Sequence, residues 1–346
     1  MLTGVVILAG AVTVFALFSS FWDQSLHPQA AQLLEQPPTG IDPQHPLHLW
    51  VAEGRAWANP RCASTDECFA QLEGVAPLTE AEYLPYLQAL ESPRPFSVVG
   101  TVGEMAPTDG LIHAPRQLAL HIAANPTRYP EALLTRIHSA VRHWFVRADT
   151  LIDKMMAVAA MDQLIDASRF VRSAEPIPLF SRSDLSMRTT YEGEFRFAGT
   201  AMGSDDTLGA NILFKRNYTT NLFYALMENR VAASERPGCD FWKNIPPFER
   251  GWWHRMLNPA GEVLALVAEP AFEDYSASVA RLNQLIALTN AITQKVDPAT
   301  WDSPLECWQS KYLSASAELC LVPGAELAGQ ANHYCLPYQL EKLEGS

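Results

Sequence analysis

From Pro130 onward, apolar residues recur at spacings of three and four. Leu134, Ile137, Val141, Trp144, Phe145 and Ala148 form one stripe, with Arg136, Ser139, His143 and Arg147 on the other side. That period predicts an amphipathic helix. The following stretch, "ADTLIDKMMAVAAMDQLIDASRFV", is apolar all round from Met155 to Met161, the pattern of a helix enclosed by others. Upstream, "LTEAEYLPYLQAL" (Leu78 to Leu90) reads as a helix capped by Thr79. Ile112 to Ala124 is another, ending at "ANPTRYPE", where Asn125 can cap and Pro126 suits a first turn. Short links between these helices predict stacked antiparallel hairpins.

Pro176 and Pro178 mark a break. Beyond it, "LSMRTTYEGEFRFAGTAM" suits strand or helix locally, and the spacing of Leu185, Thr189, Glu192, Phe195 and Ala198 tips the reading toward helix. Further helices are expected at "TTNLFYALMENRVAA", "FERGWWHRML" and "NPAGEVLALVA". A long one is expected from Ala271 to Lys295. The last fifty residues read as loop-rich and tied by disulfides. The expected fold class is all-α: an N-terminal transmembrane helix, then an irregular bundle of helical hairpins. The expected divisions are an anchor at 1–22, a short helix and Pro-rich connector at 23–44, a helical domain at 45–295 and a Cys-containing region at 296–346.

The anchor is read from Leu2 to Trp22, which carries no charge. A bilayer's hydrocarbon layer takes about 20 apolar helical residues, whereas signal-peptide cores run to about 7–15 behind a basic stretch. No Lys or Arg precedes Arg55, so an uncleaved anchor is the reading, with a cleaved signal its main rival and a buried helix the third. Orientation then rests on cysteine usage. Six are present, Cys62, Cys68, Cys239, Cys307, Cys320 and Cys335, with no CxxC pair. An even count behind an export segment reads as disulfides in an oxidising space. The turn-rich "RCASTDEC" pairs Cys62 with Cys68, and the other four leave three connectivities open. Residues 23–346 are therefore expected in the periplasm, outside the inner membrane of a Gram-negative-type cell.

Composition adds that the chain can bury a large core, with 48% hydrophobic and 18% charged residues. The net charge of -13 argues against nucleic acid and anionic lipid head groups as partners.

The combination of "ADTLIDKMMAVAAM", "YEGEF", "RNYTTNLFYAL" and "NPAGEVLALVAEPAFEDYSASVARLNQLIAL" resembles a group of bacterial proteins without an established activity. In that group an N-terminal membrane helix precedes an exported helical region. The likeness covers roughly residues 55–290. The chain departs from it where Glu262 follows Gly261 and where Tyr218 follows Asn217. The resemblance implies architecture and location only.

No G-x-S-x-G elbow, P-loop, HExxH or G-x-G-x-x-G occurs. No catalytic residue, metal site or cofactor is assigned. His138 and His143 are five apart and fall on different helix faces, and each histidine is expected on the surface or in a hydrogen-bonded structural role. The polar groups that stand out are Asp149 with Asp153, Glu192 with Glu194 around Gly193, and Asn217 with Asn221. Convergent, they would make a pocket suited to general acid–base chemistry on sugar or peptidoglycan. Otherwise they belong to a satisfied buried network. Trp252 and Trp253, among Arg250, His254 and Arg255, are a candidate contact surface. "NYT" at Asn217 matches a glycosylation acceptor and is set aside on a predicted helix in a bacterial setting.

The leading functional expectation is a membrane-anchored periplasmic interaction or scaffold protein, held by its N-terminal helix and partnered by another envelope protein. The alternatives are a cell-envelope hydrolase using a carboxylate pair, and a helical protein that binds a small apolar or amphipathic ligand. The last requires a cavity of several hundred cubic ångströms.

Overall fold

The computed structural model describes residues 23–52, 65–72, 75–100, 105–108, 110–171, 175–204, 214–235, 258–268, 271–298, 300–305, 308–323 and 334–338. Among the described residues are eleven α-helices: α1 (Pro28–Leu34), α2 (Pro46–Ala52), α3 (Thr65–Gln71), α4 (Glu80–Leu90), α5 (Ala114–Ala124), α6 (Leu133–Arg147), α7 (Leu151–Ser168), α8 (Arg188–Ser204), α9 (Arg216–Ser234), α10 (Pro259–Ala268) and α11 (Ala271–Thr293). A three-stranded antiparallel sheet, β1 (Trp308–Leu313), β2 (Glu318–Pro323) and β3 (Tyr334–Pro337), follows in the order β1-β2-β3.

The sheet corrects the all-α expectation. Residues read as loop instead satisfy their backbone groups in a ladder, in which Lys311 faces Cys320 and Cys320 faces Cys335. That register brings Cys320 and Cys335 together as a disulfide. Their pairing was one of the possibilities left open by the sequence. Cys68 is also disulfide-bonded, whereas Cys62, Cys239 and Cys307, and with them the Cys62–Cys68 pairing, lie outside the described residues. Cys68 itself sits in α3 rather than in a loop, where Asp66 and Glu67 in the first turn complement the positive end of the helix.

The single-pass expectation is corrected as well. Among the described residues, no helix is long and apolar enough to cross a membrane. Helices α7, α9 and α11 have 18, 19 and 23 residues, but charged residues such as Asp153, Lys154, Glu228 and Arg281 interrupt them. The Leu2–Trp22 run, and Trp252 and Trp253, lie outside the described residues.

The chain divides into two units. The larger takes Gly40–Ser186, Pro237–Phe241 and Ala277–Ser346. At its centre, α7 packs against α5 and α6, while α4 packs on α2 and α6. The all-round apolar character of α7 is explained by this placement: Met156, Ala157, Ala160, Met161, Leu164 and Ile165 are all buried. Thr150 caps α7, its hydroxyl oxygen accepting the Asp153 N–H at 3.1 Å. The Thr79 start of α4 is closed by Glu82, whose carboxylate accepts the Thr79 N–H at 2.6 Å and its hydroxyl at 2.7 Å.

The smaller unit takes Met1–Thr39, Met187–Arg236 and Trp242–Ser276. There α9 packs on α8 and α10, and α1 packs on α8. Of the stretch "LSMRTTYEGEFRFAGTAM", the residues from Arg188 onward are helical, and Leu185 to Met187 precede the helix. Asn258, fully buried ahead of α10, accepts the Lys215 N–H at 2.7 Å and donates to the Thr219 hydroxyl at 2.9 Å. A Cβ at Gly261 would overlap both the Asn258 amide and the Thr219 hydroxyl. The "NPAG" sequence therefore joins two helix starts, and glycine is required there by close approach.

Candidate functional site

The two sets of carboxylates fall in different units, so each is described by itself. In the larger unit Asp153 is fully buried. Its oxygens accept the Val98 N–H at 2.8 Å and the Thr150 hydroxyl at 2.7 Å. Burial pushes its pKa up, and these hydrogen bonds oppose the rise, while neighbouring Asp149 adds to it. This is a carboxylate held in a closed core, with its lone pairs occupied by the loop it anchors.

In the smaller unit Glu192 lies 3.9 Å from Arg188. Glu194 borders a crevice of only about 10 Å³. The Asn221 amide accepts the His27 N–H at 2.7 Å and donates to the Ser25 carbonyl at 2.9 Å. The Asn217 N–H donates to Asp23 at 2.9 Å, part of a cap on α9. Asn217 and Asn221 thus fasten the segment that leads into α1.

A different region has the dimensions of a site. Within the larger unit a cleft of about 530 Å³ opens between α6 and the extended segment 175–180. Helix α6 contributes Leu134, Thr135, His138, Ser139 and Arg142, whose spacing puts them on one face. Met161, Val171 and Ile286 add apolar surface, and Tyr129, Pro126 and Pro130 line it beyond α6.

Side chains rather than a neighbouring strand hold the opposite wall, "EPIPLF". Asn290 accepts the Ile177 N–H and donates to the Ile177 carbonyl, both at 2.8 Å. Asn283 does the same for Phe180, at 2.8 and 3.0 Å. Seven helical residues rise about 10.5 Å, and three extended ones span about 10 Å, so the two amides match two positions of the segment in register. Arg142 takes the carbonyls between them, Pro178 at 3.1 Å and Leu179 at 3.0 Å, and also meets Asp184 at 2.7 Å. Its guanidinium lies 4.3 Å from the centre of the Phe180 ring. Four consecutive carbonyls, 177 to 180, are thereby satisfied, and Pro176 and Pro178 carry no N–H to satisfy.

His138 is 7% exposed. Its Nε2 lies 2.8 Å from the Ser168 hydroxyl, which itself donates to the Leu164 carbonyl at 2.7 Å. Burial lowers the imidazole pKa to about 3, so the ring is neutral. The Tyr129 phenol is pushed up to about 12, chiefly by burial, with the Leu78 backbone opposing, so it keeps its proton.

None of Asp149, Asp153, Glu192, Glu194, Asn217 and Asn221 lines this cleft. Sequence reasoning weighed His138 only for a shared metal and a structural role, and passed over Arg142, Asn283 and Asn290. The available signal was a pair of asparagines seven apart within a long helix, where asparagine has low propensity. Among the described residues, Glu318, Cys320 and Cys335 bring potential metal ligands together. The two sulfurs are joined as a disulfide and offer no thiolate. Comparison with protein families, with curated proteins and with solved structures finds no match to this chain.

Proposed function

We propose that the larger unit binds a small, largely apolar ligand in the cleft between α6 and residues 175–180. The observation that carries this reading is the cleft itself. At about 530 Å³ it lies within the range typical of ligand sites, and its extended wall is held in place by Asn283, Asn290 and Arg142. A wall fixed before binding spares the ligand the cost of ordering it. The carboxylate-hydrolase expectation has less behind it, because Asp153 is enclosed and Glu192 neighbours Arg188. We place the protein in an oxidising compartment, a reading supported by the Cys320–Cys335 disulfide and by bonded Cys68. An envelope protein remains the partner class for its remaining surface.

Titration of the purified protein with the neutral fluorophore N-phenyl-1-naphthylamine tests the reading. Saturable enhancement is expected, and Ser139→Trp, which fills the mouth from an exposed position, should weaken it at least about tenfold with an unchanged urea midpoint. Absence of saturable enhancement, or equal binding by the variant, would refute it.

A further inference from the structure

The cleft offers an unusual polar group. The single hydroxyl proton of Ser168 goes to the Leu164 carbonyl, so the Ser168 oxygen is left to accept from His138 Nε2–H at 2.8 Å. A neutral imidazole with its proton on Nε2 presents a bare lone pair at Nδ1. That atom is buried and has no hydrogen-bond partner, on a residue that is 7% exposed and lines the cleft. A buried acceptor without a partner is costly and rare in native proteins. Here the residue that carries it lines a space large enough for a ligand.

The charges of the lining point the same way. Among the described lining residues Arg142 is the one cation, and its Nη atoms are committed to the Pro178 and Leu179 carbonyls and to Asp184. Glu131 and Glu175 are exposed at the rim. An anionic head group would meet repulsion there and find no free counter-charge among the described lining residues.

We infer that the cleft selects an uncharged amphiphile whose hydroxyl or N–H donates to His138 Nδ1, with its apolar part along Leu134, Met161, Ile177 and Ile286. This rests on the ligand-binding reading above. It makes His138 a specificity-determining residue held by Ser168.

Displacement of N-phenyl-1-naphthylamine from the full-length protein by 1-decanol, decyl methyl ether and decanoate separates the two claims. The alcohol should bind about tenfold tighter than the ether, which keeps the shape and loses the donor. Decanoate at neutral pH should bind more weakly still. His138→Phe should bring alcohol and ether to the same affinity while retaining the fluorophore. The ligand series on the unaltered protein stands even where that variant does not fold. Equal binding of alcohol and ether, tight binding of decanoate, or a preference that survives His138→Phe would overturn the inference and leave the cleft reading standing. Failure of the fluorophore and of every competitor to bind would remove both.

Discussion

Replacing Lys154 with methionine separates the charge of this side chain from its packing. Lys154 is 1% exposed. Its Nζ donates to the Phe145 carbonyl at 2.8 Å and lies 3.7 Å from the centre of the Phe145 ring. Phe145 carries one of the last four carbonyls of α6, which have no partner within the helix. The amine therefore caps a helix end, and it does so whether charged or neutral. Burial lowers its pKa from 10.5 to about 7. Between those values the unfolded chain binds more protons than the folded one, so stability rises with pH across this window. It is lost as pH falls back through 10.5 towards 7. From the two pKa values, Lys154 should make the larger unit more stable at pH 9.5 than at pH 7 by about 3 kcal/mol. Its protonation in the unfolded chain costs the fold about 4 kcal/mol at pH 7. Lys154→Met removes that cost, loses one hydrogen bond worth about 1 kcal/mol, and keeps most of the buried stem volume. The variant should be about 3 kcal/mol more stable at pH 7. Urea denaturation of both proteins at several pH values from 7 to 9.5 measures this. Lys215 is lowered by burial too and adds a slope of the same sign, so the difference between the two proteins is the quantity to compare. A variant that is destabilised at pH 7, or one that keeps the parent's slope, would refute the reasoning.

Three other outcomes are expected. Gly261→Ala should cost about 2 to 4 kcal/mol, because its Cβ must displace the Asn258 and Thr219 side chains that join α9 to α10; a change below about 0.5 kcal/mol in urea melts would contradict the close approach. Asn290→Ala removes two hydrogen bonds to Ile177 and should cost about 2 kcal/mol. It should also raise amide exchange at Ile177 and weaken fluorophore binding, whereas unchanged exchange there would count against the wall. Cys320→Ala with Cys335→Ala opens a link between residues 15 apart and should lower stability by about 3 kcal/mol. Equal urea midpoints for the oxidised parent and this double variant would show that the sheet needs no staple.

Most helices were legible because their apolar spacing survives without knowledge of the partners. Helix α7 was recognised as enclosed from its Met155–Met161 centre, and Thr79 as a cap from its own side chain. The sheet was not legible. Its strands are short, and Cys320 and Cys335 drew the reading toward a tied loop, whereas the same residues face each other across a ladder. Distance in sequence hid the site. Asp153 was conspicuous as a carboxylate in an apolar helix, yet its partner Val98 is 55 residues away. Pro176 and Pro178 were read only as a break, since nothing near them in sequence announces Asn283, 103 residues from Phe180. His138 was expected only on the surface or in a structural hydrogen bond, because the cleft it lines is formed by segments with no local signature.

The way residues 177 to 180 are held limits what can dock beside them. An extended segment with open amides and carbonyls is a template onto which a foreign peptide adds itself as a further strand. Here Asn283, Asn290 and Arg142 have already claimed four successive carbonyls, and proline has deleted the amide at 178 and the one just before the segment, at 176. A visiting polypeptide would find little main chain left to zip against. Whatever enters must be recognised by shape and by individual side chains, which is the discrimination a small molecule meets and a peptide evades.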